Sequence, residues 1–238
     1  MKEIEVKVAW QGQSDCQNCS IRSSVLFAEL NEDDFAKIHA PIDDFHFEAG
    51  AKIYEQSAQG QHVYTLRKGF IKLLHLNEDG TERIVRLIKQ GDLFGMEALL
   101  SAPHENAAIA LTPVHLCRLP ASLILSLGEE SPRLHRQMMK KWGEALSQSE
   151  TWFSQLNTGR ADLRIGRFLL ALAKEENGLT RSPLFKREDM GLMMDIKLET
   201  VSRSLASLSE KNLITEVSRS YVNIPDLEKL KKFCQQGA

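Results

Sequence analysis

KREDMGLMMDIKLETVSRSLASLSEKNLI, residues 186–214, is the stretch that decides how this chain folds. It divides into two short helical patterns around Asp195, Ile196 and Lys197. The first pattern carries Met190, Met193 and Met194 as its apolar side. The second carries Val201, Leu205 and Leu208 at i, i+4 and i+7, one stripe of a 3.6-residue period. Two apolar-striped helices joined by a three-residue turn form a helix-turn-helix, whose second helix enters the major groove of double-stranded DNA. The opposite face would then present Glu199, Thr200, Ser202 and Arg203. An arginine can bond guanine O6 and N7 together, a glutamate can accept from the cytosine amino group, and a serine suits either base class. A solvated helix face with a surface Glu199–Arg203 pair at i, i+4 is the alternative. The ribbon-like ITEVSRSYVNI that follows resembles a wing and puts Arg219 where a phosphate contact is expected.

Upstream, RADLRIGRFLLALAKEE reads as another amphipathic helix, with Asn177-Gly178 as its C-terminal cap. From about Ser131 a longer pattern runs through Leu134, Met138, Trp142, Ala145, Ser149, Trp152 and Leu156 at spacings of three and four. Such a stripe packs either inside its own chain or, in part, against a copy of itself. Its position between two dissimilar segments favours the second role, as connector and seam.

The first half has a different texture. Gly50, Gly60, Gly69, Gly80 and Gly91 recur at nearly even intervals, with short alternating or apolar stretches such as HVYTLRKG and RIVRLI between them. In FIKLLHLNEDGTERIVRLI two of these flank NEDG, which predicts a hairpin with Gly80 at positive φ. Short strands with turns every eight to twelve residues predict an antiparallel barrel or sandwich.

Hydrophobic residues at 42% and charged residues at 26% fit a globular chain of 238 residues with one large or two ordinary domains. The N-terminus MKEIEVKVAW has no signal-peptide pattern and no apolar run reaches membrane length, so a cytoplasmic protein with no membrane partner is expected. The net charge of −2 is unevenly spread. Residues 1–159 hold 16 Lys+Arg against 21 Asp+Glu, and residues 160–238 hold 14 against 11. A mildly basic C-terminal part permits nucleic-acid binding without requiring it.

Four cysteines in a reducing compartment are more often free, metal-bound or redox-active than a disulfide frame. Cys16 and Cys19 form a CxxC in DCQNCSIRSSVLF, Cys117 lies in HLCRLP, and Cys234 is near the C-terminus. A CxxC thiol oxidoreductase needs a helix start beside a βαβ unit, which this pattern lacks. No nucleotide loop, HExxH or GxSxG supports other catalysis, so the chain is not read as an enzyme.

Taken together, these motifs resemble the CRP/FNR family of bacterial transcription regulators over nearly the whole length. LETVSRSL resembles the family's recognition helix, while KGFIKLL, QGDLFG and LHRQMM are similar to the glycine turns and dimer-helix entry of FNR-type members. The resemblance implies an α+β fold. An N-terminal Cys segment (1–30) leads into a cupin-like, cyclic-nucleotide-binding-like antiparallel β-roll (31–130). A dimerisation helix (131–158) and a winged helix-turn-helix (159–238) follow. It further implies a homodimer that binds TTGAT-like palindromes and meets RNA polymerase. Glu199, Ser202 and Arg203 match the FNR-type reading set, with Leu198 where cyclic-AMP receptors carry arginine. Asp195 stands where many members have glycine, and Asp tolerates the left-handed conformation better than most residues.

Cyclic-AMP receptors have a Glu after the Gly of the phosphate segment and an Arg-Ser pair further on. Here Met96 and Asn106-Ala107 stand at those positions, so cyclic AMP lacks its bidentate partner and is not expected as a ligand. FNR-type members hold an oxygen-sensitive 4Fe–4S cluster on three N-terminal cysteines and one central cysteine. Cys16, Cys19 and Cys117 match three of these, and Val25 is near the missing third N-terminal position. The resemblance therefore implies an iron–sulfur cluster with a non-cysteine fourth ligand, for which His115, Asp15 and His39 are candidates, since imidazole can replace thiolate on iron. Three other accounts stay open. One is a disulfide between Cys117 and Cys16 or Cys19. Another is structural zinc on three thiolates and a histidine. The last is a degenerate site, with regulation through haem or another ligand.

Overall fold

A computed structural model of the chain describes residues 7–8, 26–31, 34 and 42–235. The chain divides into two compact units, Met1–Ser147 and Gln148–Ala238.

The first unit is built on antiparallel sheets, as the sequence predicts. One sheet has the order β1 (Lys7–Val8), β2 (Asp43–Phe47), β9 (Val114–Pro120), β4 (His62–Lys68), β7 (Leu93–Phe94). The other has the order β3 (Lys52–Tyr54), β8 (Ala107–Ala110), β5 (Ile71–Leu76), β6 (Glu82–Ile88). Strands from both sheets contribute Leu66, Ile71, Ile88, Phe94, Val114 and Leu116 to one apolar cluster. Alternation puts these residues on the shared face, because successive strand side chains point to opposite sides. The β5–β6 hairpin turns where NEDG stands: Gly80 has φ 82°, and its N–H donates to the Asn77 carbonyl at 3.0 Å. A short 3-10 helix, Met96–Leu100, and the helix α1 (Ala121–Glu130) complete the unit with the start of α2 (Pro132–Leu156).

A second cluster lies on the other face of β9. It joins Leu26, Phe27 and Leu30 to Leu119 of β9, Ile124 and Leu127 of α1, and Leu134 of α2. Just beyond Leu30, the Asn31 side chain accepts from the Asp34 N–H at 3.0 Å and the Asp34 carboxylate accepts from the Asn31 N–H at 3.2 Å. This is the reciprocal pattern of a capping box. Arg133 donates to the same carboxylate at 2.9 Å, which ties Asn31 and Asp34 to the first turn of α2. Burial pushes the Asp34 carboxyl up, but the bonds from Arg133, Asn31 and Ser131 outweigh it and hold it below its ordinary range.

Helix α2 runs for 25 residues. Its predicted stripe is graded: Leu134 and Leu156 are buried, Met138, Trp142, Ala145 and Trp152 are half-buried, and Ser149 is exposed. A different row stands out in water. Met139, Leu146 and Phe153, seven residues apart, are 53%, 62% and 72% exposed.

The second unit holds α3 (Ala161–Leu172), β10 (Lys174–Glu176), β11 (Leu179–Pro183), α4 (Arg187–Met194), α5 (Leu198–Glu210), β12 (Thr215–Ser218), β13 (Tyr221–Asn223) and α6 (Leu227–Gln235). Phe168 of α3 meets Trp152 and Phe185 edge-on at 5.9 and 6.0 Å. One expectation is corrected here. The helix expected to run to Glu176 ends at Leu172, and Asn177-Gly178 is a hairpin turn between β10 and β11 instead of a helix cap. Asn177 and Gly178 have φ of 53° and 75°, the signs that a type I′ hairpin needs at both central residues. The strands so joined form the sheet β10-β11-β13-β12, which carries the predicted ribbon as its edge.

Candidate functional site

Helices α4 and α5 are separated by Asp195, Ile196 and Lys197, the turn read from the sequence. Met190, Met193 and Met194 of α4 and Val201, Leu205 and Leu208 of α5 are all at most 1% exposed, so both stripes are core. Asp195 sits in the left-handed region at φ 52°, ψ 50°, and its N–H donates to the Gly191 carbonyl. Ile196 N–H donates to the same oxygen at 3.2 Å. The turn is tight at Gly191, where an added Cβ would lie 2.7 Å from the Ile196 carbonyl oxygen. Glycine is therefore required within α4, and the left-handed position itself accepts aspartate.

On α5, Glu199, Ser202 and Arg203 are exposed and Thr200 is half-buried. The Arg203 guanidinium leans along its own helix, with Nε 3.4 Å from the Glu199 backbone oxygen and Nη2 3.4 Å from Thr200 Oγ1. Both contacts are long, so the guanidinium can exchange them for a base edge at little cost. Arg219 and Ser220 form the exposed tip of the β12–β13 hairpin, where Ser220 N–H donates to Ser218 Oγ at 3.1 Å. Exposed Lys186 and Lys197 add positive charge at the starts of α4 and α5. A helix with polar forks outward and a cationic hairpin tip suits base edges and phosphates respectively.

In the first unit, Cys117 lies on β9 opposite Asp44 of β2 and Thr65 of β4. It is half-buried and packs against the second apolar cluster, to which Leu26, Phe27 and Leu30 belong. His115 is two residues earlier on the same strand, hence on the same face and about 7 Å away along it. Its ring lies 3.7 Å from that of His46 across the strand pair. Burial holds the His115 imidazole below its ordinary range, and His46 adds to this. Cys16, Cys19, Asp15 and His39 lie outside the described residues. Among the described residues no three His, Cys, Asp or Glu side chains gather as a metal site.

The other face of the β-roll holds a polar group that sequence reading missed. His104 is 3% exposed, stacks on Tyr54 at 3.7 Å and points Nδ1 to Glu97 Oε2 at 3.6 Å. Burial pushes the Glu97 carboxyl up, but His104 and the Glu97 backbone N–H hold it below its ordinary range. Among the described residues, Arg86 Nε and His104 Nδ1 have no hydrogen-bond partner. Met96 opens the 3-10 helix and packs on the second apolar cluster, Ala107 is buried on β8, and Asn106 Oδ1 meets His75 Nδ1 at 3.1 Å.

The model of the cyclic nucleotide-binding domain matches residues 44–131, and that of the Crp-like helix-turn-helix domain matches residues 163–233. The fumarate and nitrate reduction regulatory protein of Vibrio cholerae is 26% identical over 215 residues, covering 88% of this chain and 86% of the relative. Regulatory protein HlyX of Actinobacillus pleuropneumoniae is 25% identical over 225 residues, covering 90% and 92%. This chain belongs to the CRP/FNR family of transcription regulators. Solved structures agree in fold. FixK2 of Bradyrhizobium japonicum superposes with a TM-score of 0.71 at 22% identity, over 79% of this chain and 95% of that one. A CRP-family transcriptional regulator of Thermus thermophilus, TTHB099, gives 0.69 at 22%, over 80% and 96%.

As a CRP/FNR-family regulator the chain is not an enzyme, and its helix-turn-helix is a DNA-binding element. No helix among the described residues is long and apolar enough to cross a membrane. One feature of this regulator escaped sequence reading although a signal existed. The row Met139, Leu146, Phe153 has a period of seven. Leu198, the first residue of α5, stands seven residues before buried Leu205 and is 38% exposed.

Proposed function

We propose that this CRP/FNR regulator is an FNR-type homodimer that responds to oxygen or redox state and binds TTGAT-like palindromes, meeting RNA polymerase there. Cys16, Cys19 and Cys117 would hold an iron–sulfur cluster, with His115, Asp15 or His39 as fourth ligand. One observation carries the sensor reading. Cys117 packs against the same apolar cluster as Leu26, Phe27 and Leu30, and Leu26 follows Cys19 by seven residues. A seven-residue tether spans about 25 Å at most, a length that would let Cys19 reach Cys117. The described donors fit a cluster: a half-buried thiol at the edge of an apolar cluster, and an imidazole on the same face whose burial favours its neutral, ligating form. When bound, a cluster supplies an oxygen-labile covalent link between the N-terminal segment and β9. The chain's own part is mechanical. Leu26, Phe27 and Leu30 share a cluster with β9 and Leu134, and Asp34 bonds Arg133, so fixing or releasing these residues would bias α2.

Glu199, Thr200, Ser202 and Arg203 would contact bases and Arg219 a phosphate. The departures at Met96, Asn106 and Ala107 argue against cyclic AMP as the effector. Anaerobic reconstitution with iron and sulfide tests the sensor. A brown protein with stoichiometric iron and sulfide, lost in Cys117→Ala, is expected. A colourless, iron-free product would end the cluster reading. A loss of two protons in the non-reduced mass would then indicate a disulfide to Cys117. A gel shift on a TTGAT-type palindrome tests the reading head. Arg203→Ala is expected to weaken binding roughly tenfold or more, as for loss of one bidentate base contact. Unchanged binding would show that α5 is misassigned.

A further inference from the structure

Helix α2 ends on two arginines of α3. The last four carbonyls of a helix have no partner inside it, so they fall to water or to side chains. Here Arg164 Nε donates to the Leu156 carbonyl, and the Thr158 hydroxyl donates to that of Ser154. Arg167 reaches further. Its Nη1 donates to the carbonyls of Gln155 at 3.2 Å and Thr158 at 3.0 Å, and its Nη2 donates to that of Cys234 at 3.3 Å. One half-buried guanidinium thus gathers the end of α2, the link after it and the end of α6, all within the unit Gln148–Ala238. Arginine suits the task, because its planar fork fixes donor directions and its charge favours the negative end of a helix. Satisfying acceptors does not require it. Gln155 and Thr158 are exposed, and water would serve their carbonyls. What the bonds add is direction. The link over 157–160 contains Gly159 at φ 86°, and the contact of Trp152 with Phe168 is largely apolar, an attraction with little directional preference.

We infer that Arg167 is a positioning residue that sets which spacing between two half-sites the protein accepts. The inference rests on the reading of the chain as a homodimer on a palindrome. Met139, Leu146 and Phe153 stand on the same helix whose end Arg167 holds, and α3 packs against both α5 and α6. The angle between α2 and α3 is therefore the angle at which each copy presents α5. Two copies meet two half-sites at one fixed distance only if that angle is fixed in each. One extra base pair between the half-sites turns the second by about 35° and moves it about 3.4 Å, so a dimer with rigid joints rejects it. Arg167 touches no base and acts through the bonds that hold α2 and α6 to α3.

The test is a spacing series. The preferred palindrome is first selected from random duplexes with the full-length protein, and its half-sites are then moved together or apart by one and two base pairs. Dissociation constants are measured at fixed salt for these duplexes and for a single half-site. The wild type is expected to lose roughly tenfold or more when the spacing changes. Arg167→Ala should bind the preferred spacing about tenfold more weakly, bind the altered spacings within about threefold of it, and bind the half-site as the wild type does. Arg167→Lys, which keeps the charge without the fork, should fall between the two. A spacing profile for Arg167→Ala parallel to that of the wild type overturns the inference. So does an equal loss on the half-site, which would make Arg167 part of the reading head's own fold. Amide hydrogen exchange gives a reading without DNA. In Arg167→Ala, peptides covering 152–160 and 230–235 should exchange faster together while those of α5 keep their protection. Unchanged exchange at both helix ends also overturns the inference. A wild type that selects no palindrome ends the homodimer reading instead, and the exchange result still decides whether Arg167 holds the two helix ends.

Discussion

Cys234 and Cys117 show how surroundings divide one residue type into two roles. Cys234 is 5% exposed, its Sγ is 3.9 Å from the Leu163 carbonyl oxygen, and a Cβ on Gly166 would lie 2.7 Å from that sulfur. Burial pushes its thiol up to about 11. At pH 8 about one molecule in a thousand would then carry the thiolate, the reactive and ligating form. Iodoacetamide at pH 8 should leave Cys234 unmodified in the folded protein and label it in urea, as read by peptide mass mapping. Cys234→Ala should keep the iron content of the wild type, and a halved content would make it a ligand. Asp34 makes a pH-dependent prediction. Its carboxyl is held below the ordinary range, so its stabilisation is complete above the unfolded value near 4 and disappears as pH falls through the folded value. Asp34→Asn should therefore melt below the wild type at pH 7, and the gap should close on acidification past about pH 4. Arg133 is 48% exposed at its side chain, so its share is small, about 1 kcal/mol or a few degrees of Tm. A gap that stays constant with pH would mean that Asp34 acts through packing alone. At the hairpin tip, Arg219→Ala should lower affinity for all DNA sequences alike and reduce the salt slope by about 1.

The turn between α4 and α5 moves the reasoning to single elements. Gly191→Ala puts a Cβ against the Ile196 carbonyl oxygen, so either the turn opens or α4 shifts. An overpacking cost of about 1–3 kcal/mol is expected, with loss of specific gel shift. Asp195→Gly should stay within about 1 kcal/mol of the wild type, since relief of the left-handed residue and greater unfolded freedom oppose each other. Asp195→Val should cost about 1–2 kcal/mol. Thermal melts of the three variants decide it, and a harmless Gly191→Ala would show that the close approach is relaxed in solution. The helix-turn-helix was legible because both stripes and the turn are local. Met190, Met193 and Met194 announce one buried side and Val201, Leu205 and Leu208 the other. Asn177-Gly178 was legible as a turn signal but ambiguous in kind, because asparagine and glycine suit both a left-handed helix cap and a type I′ hairpin. What settles it is the pairing of Arg181 with Asn223, more than forty residues away in the chain, which no local pattern encodes. Helix α6 went unread for a related reason. Leu230 and Cys234 are its buried residues, too few to mark a stripe. The candidate sensor residues were legible in part, since placing Cys117 on a strand with His115 on the same face follows from alternation, whereas the partnership of β9 with Leu26, Phe27 and Leu30 is tertiary.

On the scale of the whole molecule, a palindrome has two half-sites and a single helix-turn-helix reads one, so the proposed activity requires two copies. Helix α2 offers the means. Lone exposed apolar residues are ordinary on protein surfaces, but Met139, Leu146 and Phe153 repeat every seven positions, and each is more than half exposed. Seven residues fall about 20° short of two full helical turns, so the three form one gently drifting seam of the kind that two helices cover by supercoiling. The graded stripe through Leu134 and Leu156 is a separate face, which is why packing within the chain leaves the seam open. Leu146→Glu places a charge at the middle of the seam, where a copy would bring the same charge opposite. Light scattering should give a mass near twice 26.9 kDa for the wild type and near 26.9 kDa for the variant. The fold should persist, because Leu146 is 62% exposed and stabilises little within one chain. Affinity for the palindrome should fall by a factor of about 10²–10⁴, the gain normally made by linking two half-site contacts, while the weak affinity for a single half-site stays unchanged. A monomeric wild type, or a variant that remains dimeric and binds the palindrome as before, would remove α2 from the dimer interface. The half-site control separates this from damage to the reading head, since Arg203→Ala should weaken both duplexes and Leu146→Glu the palindrome alone.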